Sequence, residues 1–150
     1  MEIRKLKKNE KPPMDLLLLA DPSQETIKEY VKRGESFIAV NAGGVVGVYV
    51  LLPTRPYTVE LVNVAVAKEQ HGKGIGKRLV MHAIQAAKER GYKTIEVGTG
   101  NSSIGPLALY QKCGFRMIGV DPDFFIRHYS EEIFENGIRC RDMIRLSQDL

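Results

Sequence analysis

The sequence predicts an α/β (α+β) fold, with one mixed central sheet of about six to seven strands flanked by helices. Three observations lead there. Helical patterns come first, a meander of β-branched runs follows, and the remainder alternates strand, helix, strand, helix, strand. The chain has 150 residues, 43% hydrophobic and 27% charged, which suits a single domain over residues 1–150 with a sizeable core. No repeat, low-complexity tract or linker divides it.

Residues 16–20 read as a short helix. Asp21-Pro22-Ser23-Gln24 reads as the start of a second one, with Asp21 capping, Pro22 at the first helical position and Gln24 closing a capping-box-like return. Ile27, Tyr30 and Val31 give its apolar stripe, and Gly34 its stop. Residues 37–40 and 45–52 are apolar, β-rich runs joined by Asn41-Ala42-Gly43-Gly44, a hairpin that Pro53-Thr54-Arg55-Pro56 should end. Residues 57–66 form a third strand. A glycine-rich loop over residues 71–76 then leads into a helix reaching Arg90, with the stripe Ile75, Leu79, Ala83, Ile84, Ala87 and a stop at Gly91. A strand over 93–97, a helix over 105–112 opened near Pro106, and a strand over 115–120 follow. After an irregular acidic stretch, residues 138–146 are expected as the last strand.

Composition excludes several classes. The apolar run 16–20 is far shorter than the ~20 residues of a bilayer span, and no secretory cleavage pattern is present, so no membrane role is expected. Cys113 and Cys140 make no Cys-x-x-Cys pair and the three histidines are scattered, so no metal is expected. A reducing, cytoplasmic setting fits. The net charge of +4 is mild; basic residues crowd 1–11 and 68–78, and acids collect over 121–135. No aromatic residues interleave with the basic ones, so no nucleic-acid partner is expected.

The most informative segment is Val64-Ala65-Val66 followed by His71-Gly72-Lys73-Gly74-Ile75-Gly76-Lys77. Alternating glycines between a strand and a helix leave successive N–H groups bare of Cβ atoms, so they can close on an anion at a helix N-terminus. Lys73, Lys77 and Arg78 add positive potential. A phosphate P-loop fails on spacing, because Arg78 stands where a hydroxyl must hold magnesium. The dinucleotide fingerprint fails too, since its last glycine would fall on Lys77 or Leu79. A glycine-rich turn without a ligand is the plain alternative.

The loop resembles the signature of the GNAT (Gcn5-related) N-acetyltransferases, Arg/Gln-x-x-Gly-x-Gly/Ala, with Gly74 and Gly76 on the small positions and His71 departing from Arg/Gln. Asn101 and then Leu109-Tyr110-Gln111-Lys112-Cys113-Gly114-Phe115 resemble a second signature, Asn…Leu-Tyr-x-Lys-x-Gly-Phe, with a wider Asn-to-Tyr spacing than is usual. The resemblance covers roughly residues 37–120, and the whole chain is similar to small bacterial members of the family.

That resemblance implies a GNAT-like, splayed sheet. Acetyl-CoA would thread between strands 57–66 and 93–97, and backbone groups of Val64, Ala65 and Val66 would pair with the pantetheine arm. Residues 71–77 would hold the pyrophosphate, and Asn101 and Ser103 the pantetheine amides. It implies direct acetyl transfer to a primary amine of a small-molecule or peptidyl acceptor. Amides around Val66 would serve as oxyanion donors, Tyr110 as the proton source for the sulfur, and Glu60 as the base. Glu60 is expected on one strand face with Val62, Val64 and Val66. Plainer roles stand beside these: Tyr110 as a core aromatic, Glu60 as a strand-edge acid in solvent, Asn101 as a loop cap. His128 and Asp121 are lesser candidates for the base, and Cys113 is expected to pack as a small apolar residue. The acids over 121–135 suggest a cationic acceptor or a solvated surface. A non-catalytic acyl-CoA-binding module on the same fold is the alternative function, and family members frequently form homodimers.

Overall fold

The computed structural model describes residues 1–150. Its strands are β1 (Glu2–Lys5), β2 (Glu35–Asn41), β3 (Gly44–Arg55), β4 (Thr58–Val66), β5 (Thr94–Gly100), β6 (Arg116–Asp121), β7 (Phe134–Glu135), β8 (Ile138–Arg139) and β9 (Met143–Asp149). The helices are α1 (Met14–Ala20), α2 (Gln24–Arg33), α3 (Ile75–Glu89), α4 (Ile104–Lys112) and α5 (Phe124–His128). Seven strands form one sheet in the order β1-β2-β3-β4-β5-β9-β6, and β7 and β8 make a separate small hairpin. Within the large sheet only β4 and β5 run parallel.

Two apolar layers hold the sheet between helices. On one face Ile75, Leu79, Val80, Ala83 and Ala87 of α3, with Tyr110 of α4 and Cys113 just past its end, pack on Tyr49, Leu51, Val59, Leu61, Ile95, Val97 and Leu146. On the other, Leu16 and Leu17 of α1 and Ile27 and Tyr30 of α2 pack on Ile38, Val48, Val50 and Leu52. The period-3.6 stripe of α3 and the period-2 runs of β3 and β4 generate this arrangement directly. Each fully buried Leu, Ile or Val is worth about 1.5–3 kcal/mol of transfer free energy.

The core elements lie close to their expected ranges, and the departures have local causes. Helix α2 is capped by Ser23, whose side chain accepts from the Thr26 amide at 3.2 Å, not by Asp21. Asp21 instead accepts from the Ser23 amide and from two tyrosine hydroxyls, and Pro22 stays outside the helix. Strand β3 runs through Pro53 to Arg55, because its register with β4 breaks between Pro53 and Arg55 and asks less of the Pro53 nitrogen. The basic start of the chain contains a strand, β1, paired with β2.

The acidic stretch is ordered as well. It holds α5 and a hairpin turned at Asn136 (φ 55°) and Gly137 (φ 73°), both left-handed as a two-residue hairpin turn requires. The last strand is therefore β9, Met143–Asp149, rather than 138–146, since Ile138–Arg139 belongs to that hairpin.

A second correction concerns faces. Val50 lies opposite Asn63 while the next residue, Leu51, lies opposite Leu61, so Val62 is an extra residue in β4. Beyond it the alternation inverts. Val64 and Val66 join Val59 and Leu61 toward α3, while Ala65 joins Val62 on the α1–α2 side. Glu60 therefore shares a face with Asn63 and Ala65, not with Val64 and Val66.

Candidate active site

The site begins where the sheet comes apart. Strands β4 and β5 pair from Thr58↔Thr94 to Leu61↔Val97 and no further. Beyond that point β4 stays on β3 as far as Val66↔Gly47, and β5 stays on β9 as far as Gly100↔Met143. A wedge-shaped gap therefore opens between residues 62–66 and 98–100. The Ala67 amide donates to the Val46 carbonyl at 2.9 Å, so Ala65 also turns its polar groups to β3. The backbone N–H and C=O of Val64 and Val66 face the gap. Of the three expected residues, Val64 presents an open N–H and C=O, Val66 an open N–H only, since its C=O accepts from His71 Nε2, and Ala65 neither.

At the wide end of the gap lies the glycine turn. Gly72 (φ 80°) and Gly74 (φ 79°) are left-handed, and Gly74 is the N-cap of α3. The first hydrogen bond of that helix runs from the Arg78 amide to the Gly74 carbonyl at 3.2 Å. The amides of residues 72–77 donate to no protein acceptor, and with the helix dipole they form a concave, electropositive cradle. Ile75 is anchored in the core while Lys73 and Lys77 are exposed at the rim. A Cβ on Gly76 would lie 3.6 Å from Leu109 of α4 and 3.9 Å from Val66, so turn, strand end and α4 meet at one place.

Tyr110 stands on α4 at this junction, 6% exposed, its ring 6.0 Å edge-on from Phe115. Its hydroxyl makes no hydrogen bond to the protein, yet it is not among the atoms sealed from solvent. Burial pushes the phenol well above its ordinary value, so it stays protonated at any working pH. His71 does not turn toward the cradle. Its Nε2 donates to the Val66 carbonyl at 2.9 Å, tying the loop to the rim of the gap.

The family model of the GNAT acetyltransferases matches residues 3–115. The chain belongs to the GNAT acetyltransferase family. It is 61% identical over 136 residues to the uncharacterized N-acetyltransferase YvbK of Bacillus subtilis, covering 91% of this chain and 88% of that one. A crystal structure of a Bacillus subtilis acetyltransferase in complex with CoA is 57% identical, with a TM-score of 0.94 over 99% of this chain and 97% of the other. A GNAT acetyltransferase from Elizabethkingia anophelis with acetyl-CoA bound is 45% identical, with a TM-score of 0.97 over 99% and 97%.

In this GNAT chain two expected cofactor contacts are engaged elsewhere. Asn101 donates from Nδ2 to the Arg139 carbonyl at 3.1 Å, and its Oδ1 accepts from the amides of Arg141 (2.8 Å) and Asp142 (2.9 Å). It clamps the β5–α4 loop to the segment entering β9, which explains its position without a ligand. Ser103 and Ser102 both donate to Glu135 Oε1, at 2.8 and 3.1 Å, seating the β7–β8 hairpin on the same loop.

Glu60 lies opposite Glu96 in the β4–β5 register. It has no ion-pair or hydrogen-bond partner, and burial pushes its carboxyl above the ordinary range, with Arg145 and Arg55 pulling it back and Glu96 adding to the rise. The lesser base candidate Asp121 is bonded to Arg127 at 2.8 Å, which holds it low. Asp123 pairs with Arg141 at 2.9 Å and Glu132 approaches Arg139 at 3.9 Å. Four of the five acids over 121–135 are thus matched by Arg127, by arginines just after the stretch or, for Glu135, by Ser102 and Ser103, which weakens the suggestion of a cationic acceptor drawn from them.

Asn101→Ala leaves two backbone amides and a carbonyl without partners. It should lower stability by about 2–3 kcal/mol, read as a fall of roughly 5–10 °C in the melting midpoint without any ligand present. An unchanged midpoint would return Asn101 to the cofactor.

Proposed function

We propose that this chain transfers an acetyl group from acetyl-CoA directly to the neutral amine of an acceptor, without a covalent enzyme intermediate. The observation that carries it is the run of unbonded amides over residues 72–77 opening onto an unpaired stretch of β4 beside the free Tyr110 hydroxyl. The amides of residues 72–77 hold the pyrophosphate, with Lys73 and Lys77 adding charge at the rim. The open N–H and C=O of Val64 take the pantetheine amides as a borrowed strand.

In the transfer step the amine nitrogen attacks the thioester carbonyl and the carbon–sulfur bond breaks. The Val66 amide faces the gap and stabilises the oxyanion as it develops. Glu60, directly or through water, takes the proton that the amine must lose. Tyr110 gives its proton to the departing sulfur and regains one from solvent. Its raised pKa is matched by the site, because the same poor solvation that keeps the phenol protonated makes a buried thiolate more basic.

Acetyl-CoA at about a hundred times its dissociation constant should stabilise the wild type by about 2.7 kcal/mol. Gly74→Val, strained at a left-handed φ and intruding on the cradle, should abolish the thermal shift. No shift for the wild type at millimolar acetyl-CoA would defeat the proposal.

Tyr110→Phe should cut kcat by about 10- to 100-fold while leaving acetyl-CoA binding nearly intact. Full retention of kcat would hand the proton to water.

Glu60→Gln should erase the acidic limb of the pH profile of kcat/KM, which in the wild type should lie above the ordinary carboxylate range. Because the folded state raises this pKa, ionising Glu60 costs stability as pH climbs through that value. The variant should therefore melt higher than wild type at neutral pH and no higher at pH 3. A surviving acidic limb would clear Glu60 of the role.

A further inference from the structure

The face of the sheet opposite α3 carries a charge arrangement that the transfer chemistry does not explain. Val59, Leu61, Ile95, Val97 and Leu146 point into the core beneath α3 and α4. Alternation then sets Glu60, Glu96, Ser147 and Arg145 on the other face, where Glu60 lies opposite Glu96, Glu96 opposite Ser147, and Arg145 opposite Gly98. The apolar cluster of α1 and α2 includes nothing from β5, β9 or β6; there Met143 lies over Gly98, Phe125 and Cys140 lie over Gly100, and Arg145 rests beside Phe124 with 41% of its side chain exposed. Gly98 marks the start of the gap, so this floor adjoins the point where the thioester would emerge.

Most charges nearby are already paired. Arg55 bonds Glu96 and Arg127 bonds Asp121, each at 2.8 Å. Two groups are left over. Glu60 has no partner, and Arg145 donates no hydrogen bond, its only ionic neighbour being Asp121 at 3.8 Å, beyond hydrogen-bond reach. The Arg145 side chain is 41% exposed and its guanidinium lies 5.8 Å from the Phe124 ring centroid, which steadies the plane while the donor edges stay free. Among the charges acting on Glu60, that of Arg145 is the strongest, yet the two form no salt bridge. A carboxyl without a partner and a guanidinium held only by a long contact to Asp121, on one face of the sheet and two strands apart, suit a guest that carries both opposite charges.

We infer that the acceptor is an amine of amino-acid type, its carboxylate gripped by the Arg145 guanidinium while its nitrogen lies toward Glu60. This rests on the acetyl-transfer reading and names the acceptor class for it. A guanidinium offers two parallel N–H donors to a carboxylate, a match that neither a bare amine nor a carboxamide can make. Arg145 is thus a specificity residue, acting on the acceptor's binding and not on the bond that breaks.

The test measures initial rates with acetyl-CoA on L-amino acids, each paired with its carboxamide and its decarboxylated amine, for wild type, Arg145→Ala and Arg145→Lys. The wild type should favour the carboxylates by about 10- to 100-fold in kcat/KM. In Arg145→Ala that preference should collapse through KM, and Arg145→Lys should keep part of it. The acetyl-CoA thermal shift of each variant reports that it is folded, with Arg145→Gln as the replacement should alanine not fold. Equal use of carboxylate and carboxamide by the wild type, or a preference untouched in Arg145→Ala, would overturn the inference. So would failure to acetylate any of the amino acids while acetyl-CoA still shifts the melting point. Absence of that shift in the wild type would bring down the cofactor reading as well.

Discussion

Everything at the site depends on two parallel strands that stop pairing part-way along their length. β4 and β5 share a register over four positions, from Thr58↔Thr94 to Leu61↔Val97. Each is then held by its other neighbour, β3 or β9, as if the sheet were intact. An open edge inside a sheet is normally a liability, because it strands main-chain donors and acceptors away from water. Here the edges are short and stand next to a glycine turn whose amides are also unbonded. The fold gathers open main-chain donors and acceptors in one place, and a cofactor with a polar arm and an anionic end can supply the missing partners.

The charges follow a related logic. The contacts of Asp121 with Arg127 and of Asp123 with Arg141 are mostly exposed and individually worth little. Their effect is to offset the acids where β6 meets α5, so the charges left uncompensated there are few and stand out. Elsewhere Glu60 is the clearest, a largely buried carboxyl without a bond partner. Such a group lowers stability when ionised, which is a cost that a purely structural acid would not retain by choice of environment.

How much of this was legible in the sequence depended on whether the signal was local. The glycine turn was, because Gly72, Gly74 and Gly76 after a β-branched strand leave successive amides bare of Cβ atoms wherever they occur; the left-handed dihedrals of Gly72 and Gly74 add a conformational reason that the spacing alone did not state. The core stripe of α3 was equally plain. The Asn136-Gly137 turn carried an ordinary hairpin signal that the surrounding acids obscured, and missing it displaced the last strand. The partners of Asn101 and Ser103 were not legible, since Glu135, Arg139, Arg141 and Asp142 lie more than thirty positions away and meet that loop only through the fold. Nor was Arg145 singled out: a lone arginine in a terminal strand has no meaning until its row in the sheet is known.

The extra residue at Val62 shows that a pattern can contain the answer and still mislead. Strict alternation along Val59-Glu60-Leu61-Val62-Asn63-Val64-Ala65-Val66 would place Asn63 beside Val59 and Leu61, in the apolar core under α3. There its amide would find no partner, a penalty of about 1–3 kcal/mol. With Val62 inserted, Asn63 turns to the other side. Its Nδ2 then donates to the Leu17 carbonyl at 3.0 Å and to the Tyr30 hydroxyl at 2.8 Å. Tyr30 in turn bonds Asp21, which also receives Tyr129 from the end of α5 at 3.0 Å. Val64 and Val66 rotate into the space that Asn63 would have held, and their backbone groups come to face the gap. One inserted residue thus separates apolar from polar side chains better than perfect alternation could. The same insertion ties β4 to α2 and, through Asp21, to α5, at the place where β4 leaves β5.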